Sequence, residues 1–238
     1  MLELKNISFQ AEDEKEILKD VSLKIDDKIV VITGPNGGGK STLAKVIAGI
    51  VTPTGGQILL DGEDITGYSV TERANAGISL AFQQPVRFKG LTVRDLITIA
   101  AGKELNVSEA CSYLSEVGLC AKDYIDRELN ASLSGGEIKR IEIATILARG
   151  SKFSIFDEPE AGIDLWSFQS LIRVFEKMQK EYKGTILIIS HQERILDIAD
   201  KIIYIKDGMV EQYGPKDEIL KTLINAAQPG CDVLMQKM

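Results

Sequence analysis

An α/β fold with a mainly parallel core sheet is what this sequence predicts, and three observations predict it. Lys28-Ile-Val-Val-Ile-Thr33 is apolar through its middle, as a strand buried on both faces requires. "GPNGGGKST" follows at once and gives way to "LAKVIAGI" at helical spacing, so the chain runs strand, glycine-rich loop, helix. Three later apolar runs, "FSIF" (153–156), "TILIIS" (185–190) and "KIIYIK" (201–206), are separated by amphipathic stretches near 164–182 and 192–199. That alternation is what parallel strands joined by crossover helices produce.

The remaining elements follow in chain order. Residues 2–9 (LELKNISF) and 20–25 (DVSLKI) read as strands ahead of the core strand and predict an N-terminal antiparallel β subdomain. After the turn "TPTGG" come the short strand "QILLDG" and the buried strand "ISLAF" (78–82). From Val86 to Arg149 the period changes. Leu96, Ile97 and Ala100, then Ala110, Leu114 and Val117, then Ile141, Ala144 and Leu147 recur at three and four residues, which predicts an inserted helical subdomain. "KDGM" reads as a hairpin turn before a last strand, and "PKDEILKTLINAA" as a closing helix with Pro at its start. No internal repeat or low-complexity segment interrupts this order. The expected organisation is a core of 1–85 and 150–227, a helical insert at 86–149, and a loosely held tail at 228–238.

Composition excludes several classes. With 44% hydrophobic and 26% charged residues the chain resembles ordinary globular proteins. A net charge of −7 argues against a broad nucleic-acid footprint, while leaving room for a local pocket for a small polyanion. No apolar run has the length needed to span a bilayer, and "MLELKNISFQ" lacks the layout of a signal peptide. Cys111, Cys120 and Cys231 are odd in number and lack C-x-x-C spacing. They are expected to be buried small hydrophobes in a reducing, cytoplasmic setting.

The residues that carry chemistry sit at strand ends. Gly34-Pro35-Asn36-Gly37-Gly38-Gly39-Lys40-Ser41 fits G-x-x-x-x-G-K-[ST], with Thr42 following. Its glycines let successive backbone N–H groups turn toward a phosphate, and the helix start adds its positive dipole end. Lys40 is expected to reach the β- and γ-phosphates and Ser41 to ligate Mg²⁺. Asp157 and Glu158 close a buried strand, where Asp157 is suited to Mg²⁺ and Glu158 to polarising an attacking water. His191, the chain's one histidine, and Gln83 end two further strands; the first is placed to bind a γ-phosphate oxygen, the second to meet Mg²⁺ and the water. Ser134-Gly135-Gly136, with Glu137, opens a second helix. It reads either as an ordinary N-cap or as a second anion site.

Phosphate loop, Gln83, "LSGGE", "DE", "GID" (162–164) and His191 resemble, in order and spacing, the ATP-binding cassette ATPases over about residues 1–225. The resemblance implies that two copies pack head to tail with ATP and Mg²⁺ between them. Ser134, Gly135 and Gly136 would face the partner copy's phosphate loop, and Asp164 would run along the interface. Within that family "RELNASLSGGEIKRIEI", "EAGID", "SHQERIL" and "LAFQQP" are similar to the SufC ATPases of iron–sulfur cluster assembly. This implies a SufB/SufD-like scaffold as the driven partner. Pro159 after "DE" and "GLTVRDLI" (90–97) resemble transporter cassettes instead, for which the partner is a membrane permease. The aromatic that stacks adenine in transporter cassettes falls here on Ala11, with Phe9 two residues before it.

Overall fold

The computed structural model describes residues 1–12, 14–84, 86, 88–129 and 133–227. Strands β1 (Leu2–Gln10) and β2 (Glu16–Ile25) form an antiparallel pair, and β3 (Ile29–Thr33) leads through the glycine loop into α1 (Lys40–Ile47). The short β4 (Gly55–Leu60) and β5 (Glu63–Asp64), α2 (Val70–Ala76) and β6 (Ile78–Ala81) follow. The helical insert holds α3 (Val93–Ala101), α4 (Val107–Glu116), α5 (Ala121–Tyr124) and α6 (Gly135–Arg149). Then come β7 (Phe153–Asp157), α7 (Leu165–Glu181), β8 (Thr185–Ile189), α8 (Glu193–Asp197), β9 (Lys201–Lys206), β10 (Met209–Pro215) and α9 (Lys216–Ala227).

Two sheets result. One is antiparallel, in the order β2-β1-β4-β5; the other runs β10-β9-β3-β8-β7-β6, parallel except at the β10 edge. The expected class, an α/β nucleotide-binding core with an antiparallel β subdomain and a helical insert, is the observed one. Strand period explains the layering. Ile29 and Val31 of β3, with Ile186 and Ile188 of β8, join the core shared with the helical insert, α7 and α9. Val30, Ile32, Leu187 and Ile189 point the other way, into the core made with α1 and the antiparallel sheet. Both faces of the parallel sheet are therefore dry, which is why its strands read as unbroken apolar runs.

The hairpin expected at "KDGM" is present. Asp207 (φ 51°) and Gly208 (φ 82°) take the paired left-handed geometry that matches strand twist. Two expectations need correction. Cys111 is half-buried and Cys120 exposed, so neither is a buried small hydrophobe; Cys231 and the tail lie outside the described residues. Both cysteines flank the outer side of a helical insert whose core is filled by Ala110, Leu114 and Val117 instead. The predicted strand at 20–25 begins earlier, at Glu16, and α2 was not anticipated at all. Its inward residue is a charge, so it shows no apolar period. Arg73, 1% exposed, donates through Nη1 to the carbonyls of Val46 (2.6 Å) and Ile47 (2.8 Å). It also donates through Nη2 to Thr66 (2.8 Å) and through Nε to Tyr68 (3.2 Å). A guanidinium thus satisfies carbonyls at the C-terminal end of α1 that the helix leaves open.

Candidate active site

Strands β3, β8, β7 and β6 lie side by side and parallel, so their C-terminal ends form one row. That row carries the loop 34–39, His191, Asp157 with Glu158, and Gln83. Open parallel sheets bind ligands along such an edge.

The loop is held from behind by the β9–β10 hairpin. Gly34 has φ 136°, and a Cβ there would meet the Ile205 carbonyl oxygen at 2.0 Å, so only glycine permits the approach. The Gly208 N–H donates to the Gly38 carbonyl at 3.1 Å. Lys40, 5% exposed, spans the loop and donates to the carbonyls of Gly34 (2.8 Å) and Pro35 (2.9 Å). Burial lowers its ammonium pKa, opposed by Glu158 and Asp157.

Two side-chain hydrogen bonds between distant segments assemble the rest. Ser41 Oγ donates to Asp157 Oδ1 at 3.0 Å, and Gln83 Nε2 donates to Glu158 Oε2 at 2.5 Å. Burial raises the Asp157 pKa, and the Ser41 hydroxyl works against it. Glu158 has φ 44°, a left-handed backbone that a long side chain rarely adopts; its N–H donates to the Ile189 carbonyl at 3.0 Å.

The loop, Lys40, Ser41, Gln83 and Glu158 line a cleft of about 630 Å³, the size of a small-molecule site, and Asp157 joins it through its hydrogen bond to Ser41. A nucleotide and Mg²⁺ fit it. The loop offers backbone donors to phosphate, and the Ser41 hydroxyl with the desolvated Asp157 carboxylate is a hard oxygen set of the kind Mg²⁺ takes. On the far side the lining comes from Lys15, Ile17 and Lys19 of the first hairpin and from Asp207 and Gly208. Sequence reading missed that group, having looked to Ala11 and Phe9. Phe9 instead packs against the apolar core below. Strand position alone does not say which end of β2 curls over the loop.

His191 is exposed just beyond the end of β8. Ser190 Oγ donates to Glu160 Oε1 and accepts from the Gln192 N–H at 3.0 Å, so this turn is tied to the loop after β7. Burial is the leading effect on Glu160 and raises its pKa.

The second helix start is built as a capping box. Glu137 N–H donates to Ser134 Oγ (3.2 Å) and Ser134 N–H to Glu137 Oε2 (2.7 Å), while Tyr124 donates its hydroxyl to Glu137. The Glu137 carboxylate is therefore turned onto its own helix start, leaving the first-turn amides of Gly135 and Gly136 without an intrahelical acceptor. Ser134 and Gly135 are exposed. A Cβ on Gly136 would stand 3.1 Å from Ser167, so this glycine lets α6 press on α7. Asp164 is exposed and caps α7, Oδ1 accepting from the N–H groups of Trp166 and Ser167 at 3.0 Å each.

A buried lysine and a half-buried glutamate of α6 were not anticipated. Lys139 Nζ donates to the Phe82 carbonyl at 2.6 Å, and Glu142 Oε1 accepts the Phe82 N–H at 3.2 Å. Burial pushes the Glu142 carboxyl up to about 7. A signal existed: the apolar residues of "EIKRIEIATILA" are spread around the helix rather than gathered in one stripe, so part of its charge shares the inward side.

Residues 18–161 match the family described as ABC transporter. The chain is 39% identical over 214 residues to an uncharacterized ABC transporter ATP-binding protein of Methanocaldococcus jannaschii, covering 86% of this chain and 85% of that one. It is 35% identical over 231 residues to a probable ATP-dependent transporter of Pyropia yezoensis, covering 90% and 91%. A dimeric ATP-binding cassette solved in a post-hydrolysis state with ADP and Pi superposes with a TM-score of 0.80 at 26% identity, over 91% of this chain and 99% of that one.

Proposed function

From the premise that the chain belongs to the ABC transporter family of ATP-binding cassettes, we propose that it hydrolyses MgATP at a head-to-tail interface between two copies and so drives a partner protein. The chain is an ATPase, and ATP with Mg²⁺ is its substrate and cofactor. One observation carries the assignment of roles: the Ser41–Asp157 and Gln83–Glu158 hydrogen bonds bring together the start of α1, the end of β7 and the segment after β6, with Ser41, Gln83 and Glu158 lining one cleft beside the phosphate loop.

In that reading the amides of residues 34–39, Thr42 and Lys40 hold the phosphates, and Ser41, Gln83 and Asp157 hold Mg²⁺, which when bound neutralises charge on the phosphates. Glu158 takes the proton of the attacking water, and Gln83 orients both. His191, on the adjacent strand end, donates to the transferred phosphoryl group. Ser134, Gly135 and Gly136 of the second copy complete the site through their helix-start amides. Glu137 pins that helix start, and Asp164 holds the loop between the two sites.

The partner is a membrane permease in the reading best supported by the relatives, both of which are named as transporter proteins. Among the described residues no helix is long and apolar enough to cross a membrane. Exposed Phe82 (37%), Val86 (50%) and Phe88 (40%), beside a groove at the helical insert, support docking there. A second reading, a SufB/SufD-like scaffold in the cytoplasm, is favoured by "GEIKRIEI" and "EAGID". Recovery of the native chain separates the two. Permease pairing predicts capture only from detergent-solubilised membranes; a scaffold predicts a partner carrying iron and sulfide from detergent-free lysate.

For the chemistry, Glu158→Gln lowers turnover by about 10²- to 10⁴-fold while ATP affinity is kept, as removal of a general base does. Phosphate release and nucleotide titration measure the two. Near-normal release from that variant would reject Glu158 as the base.

A further inference from the structure

The geometry points to Lys139 and Glu142 as positioning residues that set Gln83, and through it Glu158, from the helix that begins at Ser134. Both hydrogen-bonding groups flanking the Phe82 side chain are taken by α6. The N–H goes to Glu142 Oε1 at 3.2 Å and the carbonyl receives Lys139 Nζ at 2.6 Å. Gln83 is the next residue, and its amide donates to Glu158 Oε2. A continuous run of contacts therefore leads from α6 to the carboxylate proposed as base.

The bracket is an expensive way to pack a helix. Lys139 is 2% exposed, its Nζ stands 4.0 Å from Glu142 Oε2, and that oxygen is buried without a hydrogen-bond partner. Such a pair is commonly no more stable than apolar residues of the same volume, and the neighbouring positions are Ile138 and Ile141. The charges are accounted for by what they hold. Beyond Glu142, Lys139 also feels the fields of Asp157, Glu160 and Glu158, so the residue that grips Phe82 is tied electrostatically to the site's acidic row. Because Ser134 to Gly136 open the same helix, a second copy touching that end acts on Gln83 through a rigid element. This inference rests on the proposed ATPase site.

A double-mutant cycle tests it. Lys139→Met lowers turnover about tenfold or more with ATP affinity unchanged, and Lys139→Arg, which keeps a donor, recovers most of the loss. Lys139→Met with Gln83→Ala is no slower than Gln83→Ala alone. Losses that multiply would overturn the inference, since packing damage is independent of Gln83. Should Lys139→Met fail to fold, Glu142→Ala, which removes the acceptor of the Phe82 N–H, enters the same cycle with the same two outcomes. Amide exchange gives an answer without catalysis. In nucleotide-free Glu142→Ala the Phe82 amide exchanges about tenfold faster while those of Val30 to Ile32 are unchanged. Unaltered exchange at Phe82 rejects the bracket even if the ATPase reading stands, whereas a wild-type chain without hydrolysis rejects that reading and leaves the exchange result to decide the bracket.

Discussion

Ser41 does two jobs that a single substitution separates from binding. Its hydroxyl donates to the buried Asp157 carboxylate, while Ser41 itself lines the cleft. Ser41→Ala leaves Asp157 desolvated with one hydrogen bond fewer, so its pKa rises further and its hold on Mg²⁺ weakens. The expected result is an apparent Mg²⁺ requirement for hydrolysis raised about tenfold or more, read by Mg²⁺ titration at saturating ATP. An unchanged requirement would place the cation elsewhere. At this scale the sequence was most legible where chemistry is contiguous: Gly34 to Ser41 and Asp157-Glu158 declare themselves by spacing. Lys15, Ile17, Lys139 and Glu142 did not, because each acquires its role from a neighbour distant in sequence. Nothing in a single side chain announces that it will grip the Phe82 backbone.

Elements carry their own predictions. Helices α3, α4 and α6 each begin with a capping box, Thr92 with Asp95, Asn106 with Glu109, and Ser134 with Glu137. All three carboxyl groups are held below their usual values. The leading causes are the Thr92 side chain for Asp95, the Asn106 backbone for Glu109 and the Tyr124 hydroxyl for Glu137. A depressed folded-state pKa contributes stability that is present above the unfolded value, 4.5 for the glutamates and 3.8 for Asp95, and is lost as pH falls through the folded one. Below about pH 4.5 the helical insert therefore loses amide-exchange protection, corrected for intrinsic rates, before β3 and β8 do. Loss from the sheet first would contradict this. Arg73→Met leaves the carbonyls of Ile47, Thr66 and Tyr68 without their donor and costs about 2–4 kcal/mol, seen as a fall in melting temperature. A change within experimental error would mean water replaces the guanidinium. Strands with dry faces were readable from sequence, while α2 was not, since its buried side is one arginine rather than an apolar stripe.

For the whole molecule, the sheet gathers the phosphate loop, Gln83, Asp157, Glu158 and His191 onto one edge, yet leaves the start of α6 outside the cleft lining among the described residues. Order along the chain made the fold class legible; the pairing of copies rests on motif resemblance and on the family, one of whose solved cassettes is dimeric. The most direct test is the mass of Glu158→Gln in saturating MgATP by light scattering. The account predicts two chains of 26.1 kDa each with one nucleotide per chain, and a single chain when Ser134→Arg is added. An ATP-saturated Glu158→Gln chain that stays at 26.1 kDa at every protein concentration would contradict it.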